Sequence, residues 1–155
     1  MKLAEQRLQE LTLGSLSSIE VSFFSGPSRA ADYYDLLVVK FSGRYRNGSS
    51  GNPDALFMSA MAEAGIVAWG PAGLILDLRE LEYEWGDLLE AVFAAGESHY
   101  GDTRFPQAII VGPPCEKAVR TLVLGLDSTE PLESVPWVFR ELESAWAYVE
   151  AQLST

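Results

Sequence analysis

Chemistry in this chain would have to be built from very few reactive side chains. The one histidine, His99, sits in Glu97-Ser98-His99-Tyr100-Gly101-Asp102. Neighbouring Ser, His and Asp do not make a triad, whose members converge from separate segments. A helix-end histidine beside carboxylates is the simpler reading. The one cysteine, Cys115, falls at an expected helix N-terminus, where a thiolate is favoured, but Pro113-Pro114 precede it and His99 is the only imidazole available as its base. A zinc site would need two carboxylates to complete that single His and single Cys. No EF-hand spacing is present for calcium. Asn47-Gly48-Ser49-Ser50-Gly51-Asn52 precedes a helix start, as phosphate-binding loops do, yet it lacks the Walker lysine and the GxGxxG spacing and reads as a mobile connection. Each catalytic arrangement is missing a partner, so the expectation is no enzyme, no catalytic residue, no metal and no cofactor.

The better candidate is a surface. Leu81-Glu82-Tyr83-Glu84-Trp85-Gly86-Asp87 places two aromatic residues among carboxylates, with Glu90 just beyond. Aromatic anchors ringed by acid suit an interface that contacts Arg or Lys. Glu82, Tyr83, Glu84, Trp85, Asp87 and Glu90 are therefore the candidate partner-binding residues. Strand alternation would put Leu81, Tyr83 and Trp85 on one side and Glu82 and Glu84 on the other. The competing reading is that Tyr83 and Trp85 close one end of the core, that the carboxylates are merely solvated, and that Asp87 favours a helix N-terminus.

The formal net charge of −11 points the same way. A field of that sign repels nucleic acid and anionic lipid and steers basic proteins inward, although simple solubility accounts for it equally well, since many bacterial cytosolic proteins are acidic. Asp77, Glu80, Glu90, Glu97 and Asp102 are opposed within their stretch by Arg79 alone, whereas Lys40, Arg44 and Arg46 form a small basic spot. A lone cysteine permits no intrachain disulfide and fits a reducing, cytoplasmic compartment. No run approaches the roughly 20 apolar residues that cross a bilayer. Residues 1–11 carry Glu5, Gln6, Arg7 and Glu10 where a signal peptide needs its apolar region, so export by that route is not expected.

The elements that must position the acidic loop follow from periodicity. Residues 1–17 form an arm or short helix, and residues 18–153 the core of a single domain spanning 1–155, long enough to bury a core without staples. Ser18–Phe24 and Leu36–Ser42 are rich in β-branched and aromatic residues and read as strands. A long connection, residues 25–35, joins them. A helix starts at Asn52-Pro53-Asp54, with Asn52 as cap, and carries Leu56, Phe57, Ala60, Met61 and Ala64 toward a stop at Gly65. Leu74–Leu78 is a near-continuous apolar run, as in a strand covered on both faces. A helix over 86–98, a strand at Gln107–Val111, a helix from Pro114 to Gly125, a short strand at 136–139 and a helix over Glu141–Leu153 complete an α/β fold. Its order is β-β-α-β-α-β-α-β-α, with parallel crossovers in the second half of a mixed sheet.

That order resembles the STAS domain, the fold of anti-sigma-factor antagonists and of sulfate-transporter cytoplasmic tails. Three segments carry the resemblance: DLLVVKFSGRY, GLILDLRELEYEWGDLLEAVFAAG and VPWVFRELESAWAYVEAQL. Together with the helix between them they span roughly residues 19–152. The resemblance implies a non-catalytic domain that regulates or sequesters a protein partner. Antagonists of this family are switched by phosphorylation of a Ser or Thr after the central strand. Residues 81–87 contain neither, so the resemblance implies a fixed binding surface where the family has a switch. A compact acidic domain also suits an immunity-type protein that occludes a basic toxin site. An alternative from another class is a small enzyme or ligand-binding domain with a pocket at the strand carboxyl ends, near Tyr83, Trp85 and Gly112.

Overall fold

Alternation along the central strands builds two cores. The computed structural model describes residues 2–30, 33–102 and 104–153. In strand β2 (Asp35–Arg44), Leu37, Val39 and Phe41 face one side of the sheet while Leu36 and Val38 face the other. In β3 (Gly73–Glu82), Leu74, Leu76 and Leu78 join the first side and Ile75 the second. β4 (Gln107–Val111) repeats the pattern with Ile109 and Val111 against Ala108 and Ile110. A period of two with both sets apolar is what a sheet covered on both faces requires.

β1 (Glu20–Pro27) and β5 (Val138–Phe139) flank these strands, and the sheet order is β1-β2-β3-β4-β5. β1 pairs antiparallel with β2, and every later neighbour is parallel, so the sheet is mixed as expected. The β2–β3 register shifts between Lys40 and Ser42, where a bulge places two β3 residues opposite Phe41. The chain opens with a single helical turn, α1 (Leu3–Arg7), none of whose residues is buried. The larger core lies beneath α2 (Asn52–Trp69), α3 (Leu89–Val92), α4 (Ala95–Tyr100) and α5 (Glu116–Leu124). The smaller is closed by α6 (Leu142–Leu153) through Ala145 and Val149.

Two helices depart from expectation. The helix expected over 86–98 is broken at Phe93–Ala94 into α3 and α4. Gln107 explains the break: its amide nitrogen donates to the Phe93 carbonyl, and its amide oxygen accepts the Gly96 N–H at 3.0 Å. A side chain from β4 thus satisfies backbone groups that a continuous helix would pair internally. The stop expected at Gly65 is also displaced. Helix α2 runs to Trp69 and is capped by Gly70 at φ +52°, whose N–H reaches the Ile66 carbonyl at 2.8 Å. Gly65 serves packing instead, because a Cβ there would meet Phe23 at 2.9 Å and Leu37 at 3.0 Å. Asn52 already lies inside the first turn, and Gly51 holds the cap position. Ala31 and Asp32 of the long β1–β2 connection lie outside the described residues.

Candidate functional site

The loops at the carboxyl ends of β2, β3 and β4 are stitched into one pole. The Tyr45 N–H donates to the Glu82 carbonyl at 2.9 Å, the Gly48 N–H to the Trp85 carbonyl at 3.2 Å, and the Tyr83 N–H to the Pro114 carbonyl at 3.2 Å. Asn47 Nδ2 adds a 3.3 Å bond to Glu84 Oε2. These bonds join loop 45–51, a 3₁₀ turn over Gly48–Gly51 included, to loop 83–88.

The two aromatic residues of the acidic loop part company. Tyr83 is buried, its hydroxyl donates to the Gly86 carbonyl at 2.8 Å, and its ring meets Tyr45 edge-on at 5.1 Å. Trp85 is 61% exposed. The alternation expected to carry Leu81, Tyr83 and Trp85 to one side therefore fails at Trp85. β3 ends at Glu82, and the chain then turns so that the Trp85 carbonyl can accept from Gly48. The indole lies over Gly48, which adopts φ +61°, and a Cβ there would fall 2.5 Å from Trp85 Cη2. Glycine is needed at this position both for the left-handed backbone and for the close approach of the ring.

Glu82, Glu84, Asp87 and Glu90 are all exposed, so the structure presents four carboxylates and one indole while Tyr83 supports them from below. Burial pushes the Tyr45 phenol up to about 12, helped by the Asp54 and Asp87 carboxylates. Burial likewise raises Tyr83, with Tyr45 and Asp87 adding to it. Both phenols therefore stay neutral at physiological pH and act as packing groups.

Asp54 is the residue that sequence reasoning undervalued. A first-turn carboxylate ordinarily sits in solvent and complements the helix dipole, but Asp54 is fully buried and accepts four hydrogen bonds. Ser17 Oγ donates at 2.6 Å, Arg46 N–H at 2.8 Å, Arg46 Nε at 3.0 Å and Arg46 Nη2 at 3.2 Å. Burial alone would raise its pKa, but the hydrogen bonds from Arg46 and Ser17 outweigh that and hold the carboxyl below its ordinary range. Arg46 Nη2 also donates to the Leu16 carbonyl at 2.8 Å, so this one ion pair fixes the start of α2, the loop after β2 and the root of the arm. The expected basic spot is thereby reduced: Arg46 pairs with Asp54 and Lys40 with Glu80, while Arg44 has no carboxylate partner among the described residues.

His99 and Cys115 are not brought together. His99 Nδ1 lies 3.4 Å from Glu63 Oε1, as expected for a helix-end histidine near a carboxylate. Cys115 is buried at the start of α5, and its Sγ–H donates to the Leu78 carbonyl at 3.3 Å. Burial pushes the thiol up to about 11, so the helix N-terminus does not favour a thiolate here. Among the described residues no group of three His, Cys, Asp or Glu side chains is placed to hold a metal ion. No helix among them is long and apolar enough to cross a membrane.

A solved structure shares this architecture, an anti-sigma factor antagonist from Mycobacterium paratuberculosis. It is 19% identical, superposes with a TM-score of 0.50, and the match covers 84% of this chain and 94% of that one. No protein-family model matches the chain, and no curated protein matches it in sequence. The five-stranded mixed sheet with its helices is thus a STAS-like fold, and the likeness extends to the fold alone.

Proposed function

We propose that this chain is a non-catalytic regulatory domain that binds a protein partner through the pole at the strand carboxyl ends. Trp85 is its anchor, and Glu82, Glu84, Asp87 and Glu90 select a partner with a basic surface. The observation that carries this reading is Trp85 itself. A large apolar side chain is held in solvent by a glycine that its own ring overlies, and backbone hydrogen bonds leave it little freedom to retreat. Indoles are among the side chains that dominate binding energy at interfaces, and one already held in place costs less to immobilise. The fold likeness to a protein described as an anti-sigma factor antagonist supports a protein partner. The one phenolic hydroxyl in residues 81–87 is buried and bonded to Gly86, which supports a surface that is constitutively competent. The lone buried Cys115 supports a reducing compartment.

The test compares capture from native lysate by the wild type, Trp85→Ala and Glu84→Lys/Asp87→Lys, with Leu126→Ala as a control for loss of an exposed large apolar side chain elsewhere. A protein retained by the wild type and the control but lost from both pole variants supports the proposal. Equal capture by all four refutes it. The identity of the captured protein separates a signalling regulator from an immunity protein that neutralises a toxin.

A further inference from the structure

Helix α2 contains two charged residues in eighteen, Asp54 and Glu63, and Asp54 is buried. Its outer stripe runs Leu56, Ala60, Ala64, Val67 at i, i+4, i+8 and i+11, one face of a helix about 27 Å long. Leu56 is 56% exposed and Val67 66%, and Trp69, itself over half exposed, packs at a tilt against Phe23 at the far end. An amphipathic surface helix would place charge along this stripe, and α2 offers only Glu63.

The arm is a second uncovered apolar element. Leu3, Leu8 and Leu11 are 74–80% exposed, and Leu13 and Leu16 are also exposed. The arm is rooted at the first turn of α2, where Arg46 holds the Leu16 carbonyl and Asp54 holds Ser17. Residues 3–15 span about 20 Å as helix and about 43 Å extended, so the arm can run the length of an α2.

We infer that two copies of this chain associate with the arm of each laid along the α2 stripe of the other. Charge argues for a second copy as the occupant. In a chain of net −11, residues 2–17 carry Lys2 and Arg7 against Glu5 and Glu10, a balance of zero, and the stripe carries one carboxylate. These are the regions where two acidic molecules can meet without opposing like charges. Area argues the same way. Five arm leucines with Leu56, Val67 and Trp69 make eight large apolar side chains per copy. At roughly 60–120 Å² each, a reciprocal pairing covers about 1,000–2,000 Å², the size of a stable interface. The arrangement is isologous, each copy giving what it receives.

The experiment is sedimentation equilibrium of the full chain across 1–200 μM, alongside Leu8→Glu/Leu11→Glu in the arm and Val67→Glu on the stripe. The arm variant cannot disturb the core, because neither leucine packs into it. The wild type is expected to sediment as a dimer, with association weakened at least tenfold in both variants. A mixture of Leu8→Cys protein with Val67→Cys protein is expected to form a crosslinked heterodimer under oxidation. A monomeric wild type over the whole range overturns the inference. So does a dimer unaffected by either variant, or a monomer in which the doubly substituted Leu8→Cys/Val67→Cys chain crosslinks within itself. None of these outcomes bears on Trp85, so failure here is distinct from failure of the pole.

Discussion

Asp54→Ala removes the acceptor of four hydrogen bonds from a fully buried site. Breaking a buried ion pair by deleting one partner costs about 3–5 kcal/mol when the other charge is stranded. Arg46 is not stranded: its side chain is half exposed and rehydrates, which removes a good part of that cost. Ser17 stays buried and loses its acceptor, at about 1 kcal/mol. The expected net loss is about 2–3 kcal/mol, which at the urea slope of a chain this size lowers the midpoint by about 1–2 M with the slope unchanged. Asp54→Asn, which keeps the shape, is expected to lose less.

The pH dependence follows from the lowered pKa of Asp54. A carboxyl depressed in the folded state stabilises fully above its unfolded value of about 3.9, and this contribution is lost as pH falls through the lower folded value. The gap between wild type and Asp54→Ala should be constant from pH 5 to 8 and close only below about pH 4. Urea titrations at pH 7 and pH 3 measure both. A loss under about 0.5 kcal/mol at pH 7 would show that Arg46 and Ser17 find equivalent partners in water, and the reasoning would be wrong.

Cys115 should resist thiol reagents at pH 8 in the folded chain and react at once in denaturant, because the thiol is buried and pushed up to about 11; labelling of the native protein at the rate of a free thiol would contradict this. Gln107→Leu should destabilise by about 1–3 kcal/mol, because it orphans the Phe93 carbonyl and the Gly96 N–H at the α3–α4 break. Hydrogen exchange should report that loss first at Gly96, and unchanged protection there would count against it.

The strands were legible because their signal is local: the β-branched and apolar runs in LLVVKF and LILDL are written in consecutive residues. Three of the errors sit where a distant residue intervenes. The 86–98 helix breaks because Gln107, on another strand, takes its backbone groups. Trp85 points outward because Gly48, thirty-seven residues earlier, claims its carbonyl. Asp54 looks like an ordinary first-turn carboxylate until Ser17 and Arg46 converge on it. The composition of the acidic loop was legible; which of its aromatics faces solvent was not, since β3 pairing stops one residue before Tyr83.

The distribution of charge gives the two proposed surfaces opposite responses to salt. The pole carries Glu82, Glu84, Asp87 and Glu90 in solvent, so attraction to a basic partner weakens as ionic strength shortens the Debye length to about 8 Å at 0.15 M. The arm and the α2 stripe are nearly neutral, and apolar contact between them is not screened. Two copies of net −11 still repel through the rest of their surfaces, and salt relieves that repulsion. Rising salt should therefore release a partner from the pole while holding the copies together, so one variable separates the contact made by carboxylates from the contact made by leucines.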